Sequence, residues 1–251
     1  MTWSIVARDP DTGYLGIAVA TRFFAVGGLV PHIRGGIGAV ATQAFVSPLY
    51  GTDGLALLAA GKAPGDIITE LTARDAGRDQ RQLHLIDGKG RNAAFTGARC
   101  IDWAGHLLDD NVSVAGNMLA GPDVVAETLA TYKKAMDKPF IERLLEAMQA
   151  GEDAGGDKRG RQSAALLVHR DQDYPWLSIR ADDHPDPLAE LRRLYAVAQE
   201  RYMHVAETMA TKANPNGMID RCEIDEKIAA LEAARVAEGR PSASFATPLK
   251  T

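Results

Sequence analysis

The chain opens on two short runs rich in apolar and β-branched residues, Trp3 to Arg8 and Tyr14 to Thr21. The polar stretch between them, Asp9-Pro10-Asp11-Thr12-Gly13, has the turn chemistry of a hairpin. After Gly27-Gly28 a third strand is predicted from Ile37 to Gln43, where the small residues Gly38, Ala39, Ala41 and Thr42 admit another backbone or a ligand. The period then lengthens: helices are predicted over about Thr52 to Ala60 and Pro64 to Ala73, the second with Pro64 in its first turn and Asp66 nearby. Arg81 to Ile86 and Arg91 to Phe95 flank Asp87-Gly88-Lys89-Gly90 as a second hairpin, and Val112 to Gly116 reads as a further strand. Helical spacing returns over Asp123 to Met136 and Pro139 to Ala150, where Phe140, Leu144, Leu145 and Met148 share one face. Gln162 to Arg170 and Trp176 to Ala181 read as strands again. Strand runs separated by helix pairs predict an α+β fold of two packed sheets with helices outside, rather than an alternating parallel sheet.

Beyond Asp182 the chain turns rich in Ala, Glu and Arg, with helical periodicity over Pro187 to Lys212 and Glu223 to Glu238, a loop at Pro241 to Ser244 and a loose tail at Thr247 to Thr251. This divides the chain into a domain of residues 1–182 and a helical appendage of 183–251. The apolar stripes of the appended helices need burial somewhere, so a homodimer is expected. No internal repeat is present.

With 46% hydrophobic and 24% charged residues, the 251-residue chain has material for one large core with an appendage. A net charge of −5 and a pI near 5.7 argue against a nucleic-acid or anionic-membrane binder and leave small molecules or proteins as the expected partners. There is neither an eighteen-residue apolar stretch nor a basic-then-apolar N-terminus, so the cytoplasm is the default location. Cys100 and Cys222 stand alone and the six histidines are scattered, which supports neither a disulfide framework nor a zinc site. A calcium-loop-like spacing runs from Lys212 to Glu223. However, Lys212 occupies the first ligand position and Pro215 stiffens the turn, so a plain link between helices is the better reading.

Chemistry is concentrated at the other end. If Met1 is removed, Thr2 carries a hydroxyl and a free α-amine on one residue. An N-terminal amine, with an ordinary pKa of about 7.7–8.0, is basic enough near neutrality to take the hydroxyl proton. Ser4, two residues on, is a second hydroxyl on the same strand face.

The segments Thr2-Trp3-Ser4-Ile5-Val6-Ala7-Arg8-Asp9, Gly16-Ile17-Ala18-Val19-Ala20-Thr21-Arg22, Gly36 to Ala44, Gly116-Asn117-Met118-Leu119 and Gly155 to Ala165 carry a resemblance. Over roughly residues 1–185 the chain resembles a bacterial family catalogued as domain of unknown function 1028, grouped with the Ntn-hydrolase superfamily. The resemblance implies an Ntn-hydrolase-like four-layer αββα sandwich. It also implies a reaction class, amide cleavage by an N-terminal Thr, Ser or Cys, needing no metal or organic cofactor. The proteasome-like branch of that superfamily pairs its threonine with an aspartate and a lysine early in the chain; the corresponding stretches here hold Thr21-Arg22 and His32 to Arg34.

Amide cleavage needs a nucleophile, a base, an oxyanion donor and groups that hold the substrate. Thr2 supplies the first two. Asn117, at a strand end, is either the oxyanion donor or a turn former. Asp157 to Ser163 is the densest polar cluster before an apolar strand; its alternative reading is a solvated loop. In extended conformation Arg159 and Arg161 face one side and clamp a carboxylate, with Asp157 orienting an arginine or the Thr2 amine and with Gln162 and Ser163 beside them. Arg22 and Gln43, each at a strand end, complete the expected substrate-binding set. The leading expectation is an amide hydrolase acting on a small amide or short peptide, with Thr2, Asn117 and Asp157 in the catalytic roles. The alternative is a non-catalytic small-molecule-binding protein that retains the pocket.

Overall fold

The computed structural model describes residues 2–247, so most of the expected tail, 248–251, lies outside the described residues. Among them, ten strands form two antiparallel sheets. The larger is built from β1 (Thr2–Arg8), β2 (Leu15–Thr21), β7 (Trp103–Asp109), β8 (Val112–Leu119), β9 (Ser163–His169) and β10 (Leu177–Ala181), in the order β10-β9-β2-β1-β8-β7. The smaller is β3 (Pro31–Arg34), β4 (Gly38–Ala44), β5 (Arg81–Asp87) and β6 (Asn92–Thr96), in chain order. Helices α1 (Pro48–Ala59) and α2 (Pro64–Ala73) cover the small sheet, and α3 (Asp123–Lys134) and α4 (Phe140–Asp153) cover the large one. The result is a four-layer αββα sandwich, the two packed sheets with helices outside that the element order predicts.

The two-residue period of each strand decides what each layer contains. From the large sheet, Val6, Ile17 and Val19 cluster with Ile33, Ala39, Ala41 and Ile86 of the small one, filling the space between the sheets. The alternate residues of the small sheet, Val40, Leu83 and Leu85, turn outward onto Leu58, Ile67 and Leu71 of the helices. On the other side α4 sits directly on the backbone of β2. A Cβ added at Gly16 would lie 2.6 Å from Leu144 Cδ1 and 2.8 Å from the Phe140 ring, so the absence of a side chain there sets the helix-to-sheet distance.

Two strands were not expected. β3 is four residues long and begins with a proline, and β7 is a half-exposed edge strand containing Gly105, so neither has the alternation that marks a strand. Helix α1 begins at Pro48 rather than near Thr52, with proline in the first turn where its missing N–H costs nothing.

The chain divides into two compact units, Met1–Leu191 and Arg192–Thr251. The predicted helix over Pro187 to Lys212 is broken into α5 (Pro187–Glu200) and α6 (Tyr202–Ala206), because Arg201 leaves helical geometry at φ −149° and ψ −50°. After a turn centred on Asn214, whose side chain donates to Gly217 O at 3.2 Å, α7 (Cys222–Ala237) follows. Among the described residues no helix is long and apolar enough to cross a membrane.

Candidate functional site

Thr2 begins β1 and is paired with Asn117 on β8, while its hydroxyl lies 3.3 Å from that of Thr21 on β2. The strand period then places Ser4 on the face that looks into the sandwich. There it meets side chains from the small sheet rather than solvent. Ser4 Oγ donates to Gln43 Oε1 at 2.8 Å and stands 2.8 Å from His84 Nε2, and His84 Nδ1 stands 2.9 Å from Ser113 Oγ. Gln43 Nε2 donates to Gln82 Oε1 at 2.8 Å and to Ala115 O at 3.2 Å. Gln82 Nε2 in turn donates to Thr96 Oγ1, Gly105 O and Gly116 O. Asn117 closes the chain, its Nδ2 donating to Gln82 Oε1 at 3.0 Å and to Thr2 O at 3.3 Å.

A connected polar network in a dry interior is rigid, because each lost bond leaves a buried group unpaired. It is also directional. Ser4 has one proton and gives it to Gln43, so a hydrogen bond between Ser4 and His84 is donated by Nε2. Burial, reinforced by nearby His106 and opposed by a hydrogen bond to the Ser113 backbone, pushes the His84 pKa down to about 3, so this imidazole is neutral at physiological pH.

Thr2, Gln43 and Arg159 also line a cavity of about 100 Å³. Its remaining wall is apolar, formed by Val26, Leu29, Val30 and Val46 with Phe23 at the exposed side. The wall segment is held by Ser163, whose Oγ donates to Phe23 O at 2.5 Å and accepts from Val26 N at 3.1 Å. Ala44, at the end of β4 and in the lining, has φ 69°, and Met118, just after Asn117, has φ 54°. Non-glycine residues in this region are strained and persist where surrounding structure holds them, a pattern common at functional sites.

The basic cluster separates into different roles. Asp157 is buried and accepts from the backbone N–H of Arg22 at 2.7 Å and of Arg159 at 2.9 Å, with Arg159 Nη2 at 3.2 Å. It thus ties the 157–160 turn to the end of β2, helped by Arg22 Nη1 donating to Arg159 O at 2.8 Å. Arg159 and Arg161, expected to form one clamp, do not share a face. Gly160 at φ 107° turns the chain between them, and Arg161 pairs with Glu152 and, at 3.4 Å, with Asp186. Gln162 is likewise directed away, donating to Asp183 at 3.1 Å.

The expected site residues therefore fall into three groups. Thr2, Gln43 and Arg159 meet at the cavity. Asn117, Asp157, Arg22 and Ser163 hold those residues or the cavity wall, and Arg161 and Gln162 engage acidic residues elsewhere. Sequence reading did not anticipate Gln82, His84 and Ser113, nor the valines of the wall. The available signal was Gln82-Leu83-His84-Leu85, a strand alternation whose polar face is ordinarily assigned to solvent and here is buried as fully as the apolar one.

The family model described as "Family of unknown function (DUF1028)" matches residues 2–191. A crystal structure of protein SPO2555 from Silicibacter pomeroyi, carrying the same family model, is 36% identical with a TM-score of 0.80, over 87% of this chain and 99% of that one. Anbu (ancestral beta-subunit) from Yersinia bercovieri aligns over 84% of this chain and 99% of its own at 13% identity and a TM-score of 0.41, a likeness too slight to bear on function. No curated protein matches the chain.

Proposed function

Since the chain belongs to the DUF1028 family over residues 2–191, a family of unknown function, we propose from its own site that it is an amide hydrolase of the N-terminal-nucleophile type, acting on a small amide or short peptide. The observation that carries the proposal is the position of the Thr2 hydroxyl, at the end of β1 and on the wall of a cavity beside a guanidinium. Once Met1 is gone, the Thr2 amine takes the hydroxyl proton and Oγ1 attacks the substrate carbonyl, forming a tetrahedral adduct. The amine then returns the proton to the leaving nitrogen, and water releases the acyl-threonine ester by the same path.

Asn117 is the candidate oxyanion donor. Both of its amide hydrogens are engaged, so it reaches that role by exchanging its longer bond, 3.3 Å to Thr2 O, for the substrate oxygen. Gln43 and Asp157 act through what they hold, Gln43 through the network that orients Asn117 and Asp157 through Arg159.

A second reading is favoured by one observation: where the proteasome-like branch holds its aspartate and lysine, this chain holds Thr21-Arg22 and His32 to Arg34. In that reading the cavity binds a small molecule without turnover. Intact mass and N-terminal sequencing of the protein from its native host come first, because a retained Met1 blocks the threonine mechanism outright. With Thr2 exposed, a panel of small amides is screened against the wild type and Thr2→Ala. The hydrolase loses turnover by at least about 10³-fold in the variant. A protein whose turnover survives the substitution, or that turns over nothing yet keeps its ligand affinity, is not a threonine hydrolase.

A further inference from the structure

The cavity beside Thr2 combines an apolar wall with one accessible cation, and the two together define a ligand class. Size comes first. An apolar cavity of about 150 Å³ accepts a benzene ring, so about 100 Å³ lined by Val26, Leu29, Val30 and Val46 suits a branched aliphatic group rather than an aromatic one. Charge comes second. Asp157 and Arg159 are paired, but unequally placed: the carboxylate is 1% exposed and the guanidinium 37%.

The two backbone N–H groups at 2.7 and 2.9 Å occupy the carboxylate better than the guanidinium does, at 3.2 and 3.4 Å. Arg159 Nη1 has no hydrogen bond among the described residues, and the turn carrying it is pinned by Arg22. A ligand in the cavity therefore meets the positive partner of the pair and not the negative one. A loosely held guanidinium at the edge of a low-dielectric wall is a carboxylate receptor.

We infer that this cavity takes a small amide bearing a branched aliphatic side chain and a free carboxylate, the side chain seated among the valines and the carboxylate on Arg159. N-acyl derivatives of branched amino acids are the simplest members of the class. The inference rests on the reading of Thr2 as the reactive residue only for which bond is cut. The selection itself is a property of the cavity.

The test is therefore made on the full chain carrying Thr2→Ala, which separates binding from turnover. The probes are N-acetyl-leucine, its neutral carboxamide and N-acetylglycine, with affinities measured by calorimetry. N-acetyl-leucine binds about tenfold or more tightly than the carboxamide, and by a similar factor more tightly than N-acetylglycine. Adding Arg159→Gln brings acid and carboxamide within about twofold, Arg159→Lys keeps part of the preference, and Val46→Trp, which fills the cavity from a half-buried position, removes binding of both. Equal affinity for acid and carboxamide overturns the proposal, as does an acid preference that survives Arg159→Gln or the absence of binding at millimolar probe. Should Arg159→Gln fail to fold, the acid-to-carboxamide ratio in the Thr2→Ala protein still decides. Failure here leaves the hydrolase reading standing with another substrate, whereas loss of that reading leaves these affinities unchanged.

Discussion

At the scale of single residues, the molecule places charge and polarity where they are hardest to remove. Arg143 on α4 donates to Asp9 at 2.6 Å in the turn after β1, with both side chains almost fully buried and the guanidinium 5.2 Å from the Phe140 ring. Burial raises the Asp9 pKa, but hydrogen bonds from Thr12 and Arg143 outweigh it and hold the carboxyl below its ordinary value. A lowered carboxyl pKa means stability that is complete above the unfolded value of about 3.9 and is lost as pH falls through the folded one. Arg143→Met leaves Asp9 buried without its cation and is expected to cost about 3–5 kcal/mol, seen as a fall of roughly 10 °C or more in melting temperature. His84 has the same sign by a different route. With a folded pKa of about 3 against about 6.5 unfolded, the unfolded chain alone binds the proton between those values, so stability falls as pH falls through that window. The loss attributable to His84 is about 2 kcal/mol between pH 7 and pH 5. Denaturant unfolding of His84→Gln at both pH values checks it, since the variant should show a correspondingly smaller drop. Thr2, Gln43 and Arg159 were legible in the sequence because reactive or charged residues at strand ends stand out. Gln82, His84 and Ser113 were not, because one chain does not reveal that two polar strand faces are turned toward each other.

At the scale of elements, what could be read depended on whether an element's own residues state its environment. β1, β2 and β5 are continuous apolar or alternating runs between turn residues, and their existence followed from period alone. β3 exists because β4 pairs with it across Pro31 to Arg34, a contact that its own composition does not announce. Gly51 in α1 shows the same conflict between local and tertiary information. Helix propensity favours alanine over glycine by about 1 kcal/mol, yet a Cβ at Gly51 would overlap the ring of His32 on β3. That ring is itself held by a contact of 3.2 Å between Nε2 and Leu29 O, so it does not move freely. Gly51→Ala is therefore expected to destabilise by about 1–3 kcal/mol, and in a His32→Ala background to become neutral or stabilising. Denaturation midpoints of the four proteins in that double-mutant cycle decide it, and an unchanged penalty without the imidazole would refute the assignment.

At the scale of the whole molecule, the two units differ in how far each satisfies itself. The first encloses apolar layers on both sides of each sheet. In the second, Arg192–Thr251, only Ala198, Ala206, Ile224 and Ile228 are buried apolar residues among those described, while Val205, Met218, Ile219, Leu231, Val236 and Phe245 are exposed. A unit of this size that folds alone hides about 60% of the surface its unfolded chain presents, and this many outward apolar residues, on α6, on α7 and in the loops beside them, favour covering by another surface. We expect a second copy of the chain to supply it, because two-fold homodimers are the commonest oligomers. Sedimentation at micromolar concentration should then give a dimer whose stability changes little with salt, since apolar burial is not screened as ion pairs are. Leu231→Glu with Val236→Glu should yield a folded monomer. A wild-type monomer at that concentration, or a dimer indifferent to the double substitution, would place the contact elsewhere or remove it.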